Sequence, residues 1–317
     1  MFLTETIYEM ILRKNNPKKF ISLGACVVDT ILKVPKLSAG DAKIMAQDGV
    51  VIGAGMAVAA AATTVALGGD VKVWGRIGND SVGDFFLKDL SSVGVDTSSI
   101  RRVEGAKTAM SSVLVDEKGH RLVVSYFDTL LGSDVSWLPI YELEDIDCVL
   151  ADVRWPEGAS AIMNEARKKG ILRIFDGDVA DPAVLRELAP LATHAIFSEP
   201  GFKLFSGSED IKTNLIEHSK SLGVLCGVTR GHKGFIWCEH GEIKEIRPPK
   251  IKAVDTLAAG DVFHGAFALG VCEGMSILKA GQFACAAAAI KCTRFGGRKG
   301  VPSRDDVDAL VNATYGK

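Results

Sequence analysis

Apolar runs that alternate with helix-like stretches dominate the second half of the chain. From residue 147 the strand-like runs D-C-V-L-A-D, I-L-R-I-F-D and H-A-I-F-S are separated by stretches with helical spacing. Such alternation predicts a mainly parallel sheet with helices on both faces, a three-layer α/β/α domain. The predicted helices are Glu157–Lys169, Ala183–Leu188 and Ile211–Ser221, followed by a strand at Val224–Thr229, a strand pair over Gly234–Ile246 and three closing helices.

The first half has a different pattern, because two of its segments alternate apolar and polar residues in the manner of hairpins. These are Ala42–Ile52 and Ile100–Phe127, and we expect a small second sheet built from about residues 30–52 and 99–127. The run Phe20–Val28, which ends at Asp29, predicts a single buried strand. The other elements predicted in this half are the helices Met56–Leu67 and Phe85–Val93 and the strand Val71–Gly75.

The N-terminal segment resembles neither a signal peptide nor a membrane anchor. Glu5 and Glu9 interrupt its apolar residues, so residues 1–12 predict a short amphipathic helix within an extension of residues 1–19. The longest apolar run, residues 50–69, is too rich in alanine and glycine to predict a membrane span. We therefore expect a cytoplasmic protein with no membrane partner, in which residues 20–317 form one domain.

Composition narrows the classes of function. The 317 residues carry 37 lysines and arginines against 39 aspartates and glutamates, and a net charge of −2 gives no general attraction to nucleic acid, so we expect no nucleic-acid partner. The seven cysteines are scattered and form no C-x-x-C pair, so they predict reduced thiols and not disulfides or zinc ligands.

The stretch A-V-D-T-L-A-A-G-D, residues 253–261, leads a loop of small residues into a helix-like segment. Consecutive backbone N–H groups at a helix start form an anion site, and the helix dipole adds positive charge there. Asp261 stands where it could accept a proton from an attacking hydroxyl, and we expect the dipole to keep it ionised and therefore a weak base. The residues alone leave open a second role for Asp261, as the cap of its helix.

Several predicted strands end in polar residues. Because ligands of open α/β sheets bind beyond the carboxyl ends of the strands, these residues favour one shared cleft, although each could also be an ordinary strand-end residue. They are Asp29, Asp152, Arg154, Asp176, Ser198, Glu199 and Thr229.

The stretch D-T-L-A-A-G-D-V-F-H-G-A-F resembles the C-terminal signature of the ribokinase-like (PfkB) carbohydrate kinases. Segments 68–83, 228–234 and 283–298 are similar to further family motifs in order and spacing, so the resemblance runs from about Phe20 to the end. The resemblance implies a ribokinase-like fold with a β-sheet lid over a sugar. It also implies ATP and Mg²⁺ as cofactors, and a monovalent cation as a possible further cofactor. It also implies a homodimer, because the lid often forms the dimer interface in this family.

The resemblance gives roles to residues of this chain by position. Asp261 would be the catalytic base, in a loop whose anion hole is formed by Ala258, Ala259 and Gly260. The nucleotide would contact Ser198, Thr229, Gly231, Gly234 and Cys285, and Glu199 would hold the metal, directly or through water. The sugar hydroxyls would contact Asp29, Gly53, Ala54 and Gly55.

The chain departs from the family pattern at several of these positions. Ala258 replaces the first glycine of the loop. An alanine at this position is harmless if its φ is negative and strained if its φ is positive. Gly201 replaces the second acid of the N-x-x-E element, which removes one carboxylate from the expected metal site. Cys285 stands where an asparagine is common, and Met56 and Val58 occupy a region that often bears an asparagine.

Segments 149–159, 175–178 and 197–201 resemble the sulfofructose kinase branch of the family. In that branch a lid lysine, an arginine and a lid asparagine hold the sulfonate, and the aligned residues are Lys43, Arg154 and Ser125. The resemblance implies transfer of the γ-phosphoryl group of ATP to a primary hydroxyl of a furanose-type sugar with an anionic far end, such as 6-deoxy-6-sulfofructose.

Alternatives stay open at this stage. Arg154 could form a surface ion pair, and Lys43 could be a solvated lysine. The acceptor could be fructose, ribose, a sugar phosphate or a nucleoside. A non-catalytic sensor of sugar or nucleotide on the same fold is the alternative from a different class of function.

Overall fold

Two sheets organise the chain in its computed structural model, which describes residues 16–38 and 40–316. The strands are β1 (Lys19–Leu23), β2 (Val27–Val34), β3 (Asp48–Ala54), β4 (Asp70–Gly78), β5 (Ile100–Val103), β6 (Ala109–Asp116), β7 (Arg121–Tyr126), β8 (Cys148–Asp152), β9 (Leu172–Gly177), β10 (His194–Ser198), β11 (Leu225–Thr229), β12 (Phe235–Glu239) and β13 (Glu242–Ile246). The helices are α1 (Met56–Ala66), α2 (Ser81–Ser91), α3 (Pro156–Lys168), α4 (Pro182–Leu188), α5 (Glu199–Ser206), α6 (Ile211–Leu222), α7 (Ala259–Cys272), α8 (Ile277–Cys292) and α9 (Arg304–Tyr315). The predicted helix at residues 1–12 lies outside the described residues.

The large sheet has nine strands in the order β13-β12-β11-β10-β9-β8-β1-β4-β5. All neighbours from β11 to β5 are parallel, whereas β12 and β13 are antiparallel. Successive strand residues such as Ile174 and Phe175 belong to different buried clusters, one on each face of the sheet. The predicted parallel sheet covered by helices on both faces is therefore confirmed, because both faces bury apolar side chains.

The small sheet has four strands in the order β3-β2-β6-β7, and we call it the lid sheet. Its β2 pairs with β3 antiparallel and with β6 parallel, and β6 pairs with β7 antiparallel. It begins at Val27, earlier than the expected residue 30, and β5 (Ile100–Val103) belongs to the large sheet instead.

The predicted single strand Phe20–Val28 is wrong. The chain leaves the large sheet after Leu23 and enters the lid sheet at Val27. At the turn between them a Cβ on Gly24 would lie 2.0 Å from the carboxylate of Asp152, so only glycine allows this close approach. As a consequence Asp29 lies within β2 and not at the end of a strand.

Close helix packing fixes the start of α7. A Cβ on Gly265 would lie 2.4 Å from the carbonyl oxygen of Ala60, and the Thr64 hydroxyl lies 3.2 Å from the carbonyl oxygen of Gly265. The small side chains of α1 therefore let the backbones of α1 and α7 approach each other. This contact places the N-terminus of α7 beside the carboxyl ends of the central strands.

Helix α5 (Glu199–Ser206) was missing from the predicted elements, because Pro200 and Gly201 in its first turn are typical of loops. Proline is tolerated in a first turn, and the Ser198 hydroxyl caps the helix by accepting the N–H of Gly201 at 3.1 Å. Within the described part of the chain, every helix is too short or too polar to cross a membrane.

Candidate active site

A cleft of about 1280 Å³ lies between the lid sheet, the carboxyl ends of the central strands and the start of α7. Its walls bring together residues from segments that are far apart in the sequence, as expected for a site at the open edge of a parallel sheet. The predicted site residues that line it are Asp29, Ala54, Gly55, Arg154, Ser198, Glu199, Thr229, Gly231, Ala258, Ala259, Gly260 and Asp261.

Two predicted glycines lie next to this lining and support it. The N–H of Gly53 donates to the Asp89 carboxylate at 2.7 Å, which fixes the end of β3. Gly234 closes the turn after β11, where its carbonyl accepts the N–H of Arg230 at 2.7 Å. Its φ of 91° and a Cβ position only 1.9 Å from the carbonyl oxygen of Ile246 require glycine.

Three predicted residues are not brought to the cleft. Lys43 is exposed in the connection from β2 to β3. Ser125 lies in β7 and faces a separate cavity of about 500 Å³, although its hydroxyl is 3.0 Å from that of the cleft residue Ser111. Cys285 is buried in α8 within the apolar core, and burial raises the pKa of its thiol to about 12.

The loop before α7 presents its amides at the helix start. Ala258 caps the helix in the left-handed region with φ 62° and ψ 11°, so the strained alternative for this residue is the one observed. Gly260 is exposed, and a Cβ there would meet nothing within 4 Å. The N–H of Ala259 makes only a long bond, 3.3 Å, to the carbonyl oxygen of Thr256. The first N–H groups of a helix have no acceptor within the helix itself, so this turn can bind an anion.

The expected weak basicity of Asp261 is wrong. Burial raises the pKa of the Asp261 carboxyl well above its usual range, and the nearby negative charge of Asp176 raises it further. The loss of hydration and the like charge therefore outweigh the helix dipole, whose effect is modest even in favourable geometry. Asp261 is consequently a stronger base than the sequence suggested.

Asp176 and His264 form the floor of the cleft beneath Asp261. The Nδ1 of His264 is 2.8 Å from the carbonyl oxygen of Gly260 and 3.3 Å from Oδ2 of Asp176, and its Nε2 is 3.2 Å from the carbonyl oxygen of Ile196. His264 thus ties the first turn of α7 to β10. It was absent from the predicted site, although its position three residues after Asp261 on one helix face was a usable signal.

Asp152 has a structural role at the same edge. It is buried, and its carboxylate accepts the N–H groups of Ala25 and Ala57 at 3.1 Å each and that of Arg154 at 2.8 Å. These bonds join the end of β8 to the turn between the two sheets and to the start of α1. Of the two roles predicted for the polar residues at strand ends, Asp152 therefore has that of an ordinary strand-end residue, which fixes the backbone.

Asp29 and Ser111 face the cleft from neighbouring positions on β2 and β6. Burial raises the pKa of the Asp29 carboxyl to about 6, while a hydrogen bond from Ser111 lowers it. Near neutral pH Asp29 is therefore ionised and can accept hydrogen bonds from hydroxyl groups.

Arg154 is the predicted anion contact that lies in the cleft. Its guanidinium donates to the carbonyl oxygen of Val179 at 3.1 Å and lies 3.7 Å from the carboxylate of Asp178. The Asp178 carboxylate also accepts the hydroxyl of Ser198 at 2.8 Å. Since Arg154 is half exposed and this ion pair is loose, the guanidinium can still bind an anionic group in the cleft.

A buried arginine that sequence reasoning missed also lines the cleft. Arg298, after α8, donates to the carbonyl oxygen of Gly53 and to the carboxylate of Asp89. Its burial lowers the pKa of the guanidinium, and Asp89 opposes this shift. Arg298 therefore connects the turn after α8 to strand β3 of the lid sheet.

Glu199 is the carboxylate placed to assist a metal ion. It begins α5, lines the cleft, and lies 3.9 Å from Lys203 and 3.7 Å from Lys233. A Cβ on Gly201 would lie 2.2 Å from the carbonyl oxygen of Gly177, so no second acid fits there. In the described residues no group of three or more metal-binding side chains occurs. Mg²⁺ bound mainly by phosphates and water, with one carboxylate, fits such a site.

The chain is similar to carbohydrate kinases both in sequence and in fold. The profile of the pfkB family carbohydrate kinases matches residues 17–304. The ribokinase of Haemophilus influenzae is 25% identical over 297 residues, which cover 91% of this chain and 97% of that protein. The ATP-dependent ribose-1-phosphate kinase of Halopiger xanaduensis is 26% identical over 314 residues, covering 94% and 99%. A provisionally named ribokinase from Agrobacterium tumefaciens has a crystal structure with a TM-score of 0.92 at 37% identity, covering 95% and 100%.

Proposed function

The chain belongs to the pfkB family of carbohydrate kinases, and we propose that it transfers the γ-phosphoryl group of ATP to a primary hydroxyl of a furanose-type sugar with an anionic far end. The likeness to solved structures confirms the predicted ribokinase-like α/β fold, and the chain is a phosphotransferase with an alcohol acceptor. The observation that carries the proposal is that one cleft contains Asp261, the amides at the start of α7, the Thr229–Gly231 turn and Asp29.

The residues of the cleft suit an in-line transfer. Asp261 takes the proton of the sugar hydroxyl, and the hydroxyl oxygen forms a bond to the γ-phosphorus as the bond to the leaving ADP breaks. Burial raises the pKa of the Asp261 carboxyl, which makes its carboxylate a stronger base for the proton of the sugar hydroxyl. The amides of Ala258, Ala259 and Gly260 and the dipole of α7 stabilise the negative charge that spreads over the phosphoryl oxygens.

The nucleotide would lie along the ends of β10 and β11. Thr229, whose hydroxyl donates to the carbonyl oxygen of Phe197 at 3.3 Å, and Gly231, with φ 53°, shape the turn that faces it. Ser198 and Glu199 stand beside this turn at the start of α5. Glu199 would help to hold Mg²⁺, and the ion would shield the charge of the phosphates when bound.

The anionic end of the sugar would bind Arg154. Arg121 also lines the cleft and adds positive charge on the side of the lid sheet. A relative named as a kinase of ribose 1-phosphate, at 26% identity, is consistent with an anionic acceptor in this family. A sulfonate such as that of 6-deoxy-6-sulfofructose is one such group, although Lys43 and Ser125 lie outside the described cleft lining.

A substrate panel tests this proposal. ADP release is measured with 6-deoxy-6-sulfofructose, fructose 6-phosphate, ribose 1-phosphate, fructose, ribose and inosine. The expected result is faster turnover of one anionic sugar than of its neutral counterpart. In Arg154→Ala that preference should fall, whereas Arg101→Ala, a matched change of an exposed arginine outside the cleft, should leave it intact. An equal loss on anionic and neutral sugars in Arg154→Ala would refute the anionic end, and no turnover of any sugar would refute the kinase.

We also propose that the outer face of the lid sheet forms a homodimer. This face exposes large apolar side chains, at Val51, Met110, Leu122, Val124 and Tyr126. Contiguous apolar surface of this kind favours association with a second copy. Sedimentation equilibrium should give a dimer, and Val124→Glu should give a monomer of unchanged fold. A monomer at all concentrations of the unaltered chain would contradict this.

A further inference from the structure

Lys291 is a lysine with no access to solvent. It lies in the last turn of α8, and its side chain and that of Asp255 are both 0% exposed. Its Nζ is 2.7 Å from the main-chain carbonyl oxygen of Asp255 and 3.2 Å from Oδ2 of the same residue. A buried ammonium is costly unless it is paired and hydrogen-bonded, and both oxygen partners of this ammonium are supplied by Asp255.

Asp255 joins the segment before α7 to the turn after α8. Its Oδ1 accepts the N–H of Leu257 at 2.8 Å, and its Oδ2 accepts the N–H groups of Gly296 and Gly297 at 3.1 Å each. The carbonyl oxygen of Cys292 accepts the N–H groups of Val254 and Asp255 at 2.7 and 3.1 Å. These bonds hold the backbone that runs directly into the loop Ala258–Gly260.

The two oxygens that meet the ammonium are a main-chain carbonyl and a carboxylate. Oxygens of these two kinds are also ligands for a hard monovalent cation. The ammonium of Lys291 therefore occupies the position at which such a cation could bind these two oxygens of Asp255. Burial lowers the pKa of Lys291, and the charge of Asp255 raises it again. The charge of Lys291 therefore depends on its contact with Asp255.

We propose that the ammonium of Lys291 is a built-in cation that positions the phosphate-binding loop, so that the reaction needs no added monovalent cation. Lys291 is a positioning residue, because it acts on the loop through Asp255 and does not line the cleft. This inference rests on the proposed function, since the loop it positions is the one assigned to the transferred phosphoryl group.

The first test uses the unaltered chain. Turnover and the thermal midpoint are measured in chloride salts of tetramethylammonium, Na⁺, K⁺ and NH₄⁺ at equal ionic strength. Both should be the same in all four salts. Stimulation of turnover by K⁺ of about tenfold or more, the size expected of a loop that the ion must position, would overturn the inference. The thermal midpoint is independent of substrate choice, so an ion-specific increase in it would overturn the inference even if the proposed function failed.

The second test removes the ammonium with Lys291→Met. Turnover in tetramethylammonium should fall about 10- to 100-fold, because a small displacement of the loop misplaces the phosphoryl group. K⁺ or NH₄⁺ should restore part of the turnover and raise the thermal midpoint, and neither effect should occur in the double variant Lys291→Met, Asp255→Asn. Lys299→Met, a change of the exposed lysine in the following turn, should behave as the unaltered chain.

Full turnover of Lys291→Met without K⁺ would refute the built-in cation. A loss of turnover that no small cation restores in the folded variant would refute it as well. If Lys291→Met does not fold, the salt comparison on the unaltered chain decides.

Discussion

Ala258 and Ala259 are identical neighbours in unlike backbone conformations: Ala258 caps α7 with a φ of 62°, and Ala259 is the first residue of the helix. For an alanine the left-handed region brings Cβ close to the following carbonyl oxygen. The strain therefore lies in the loop that we assign to the transferred phosphoryl group, where unusual backbone conformations are often found.

Substitution of these two alanines by glycine should have opposite effects on stability. Ala258→Gly removes the unfavourable Cβ and should raise the free energy of unfolding by up to about 1 kcal/mol. Ala259→Gly only adds chain entropy at a helical position and should lower it by about 0.5–1 kcal/mol. Urea denaturation of both variants measures this. A loss of equal size in both would contradict a strained Ala258.

Asp261→Asn should lower turnover by about 10²–10⁴-fold, because the amide cannot take the proton of the sugar hydroxyl. The Kd for ATP should change little, since the amides of the loop remain. Steady-state kinetics and calorimetric titration with ATP measure the two quantities. Asp84→Asn, a change of an exposed carboxylate on α2, serves as the control. Turnover within a few-fold of normal in Asp261→Asn would exclude Asp261 as the base.

Asp29 should make sugar binding depend on pH. Its pKa is raised from 3.8 to about 6, so the carboxylate that accepts the sugar hydroxyls is lost as the pH falls through 6. The KM for the sugar should rise below this pH, and the rise should be absent in Asp29→Asn. Initial rates between pH 5 and 8 on one sugar, at saturating ATP, give both profiles. Parallel profiles for the two proteins would assign the pH dependence to another group.

The same shift predicts the effect on stability. Because the folded-state pKa is above the unfolded value of 3.8, ionisation of Asp29 opposes folding once the pH exceeds the unfolded value. The free energy of unfolding of the unaltered chain should therefore fall relative to that of Asp29→Asn as the pH rises from 4 to 6, and the difference should then stay constant. Denaturation at several pH values checks this, and an unaltered chain that gains stability relative to Asp29→Asn between pH 4 and 6 would contradict it.

Gly201 should not accept even a methyl group. Gly201→Ala places a Cβ against the carbonyl oxygen of Gly177, and the start of α5 must move, at a cost of about 1–3 kcal/mol. Since this helix start carries Ser198 and Glu199, the Kd for ATP should rise as well. Gly207→Ala, at the other end of α5, is strained by its φ of 70° but meets nothing within 4 Å, so it should lower stability without affecting ATP binding. Unchanged ATP binding in Gly201→Ala would remove α5 from the nucleotide site.

Periodicity was sufficient to predict the large sheet and most of its helices, because each element has its own apolar spacing. It failed between Phe20 and Val28, where the apolar run continues although the chain passes from one sheet to the other. The reason for the break is the contact of Gly24 with Asp152, which lies more than a hundred residues away in the sequence. A contact between distant segments leaves no local pattern.

The candidate site likewise contains residues that a local motif identifies and contacts that only the fold creates. Asp261 and its loop could be identified from a continuous motif, whereas the contact between Asp176 and His264 and the place of Arg298 in the cleft depend on the fold. The basicity of Asp261 was misjudged because its carboxyl neighbours are distant in sequence and the helix dipole is local. Charge and burial in three dimensions determine that property.

The contact between Ala60 and Gly265 restricts how this sequence can drift. A larger residue at position 265 would meet the backbone of α1 directly, and α7 would have to shift along with Asp261. Since the obstacle is a carbonyl oxygen, no substitution at Ala60 can make room for it. Among descendants of this chain, position 265 should therefore stay glycine for as long as the catalytic loop is under selection, while exposed positions on the same helices vary freely.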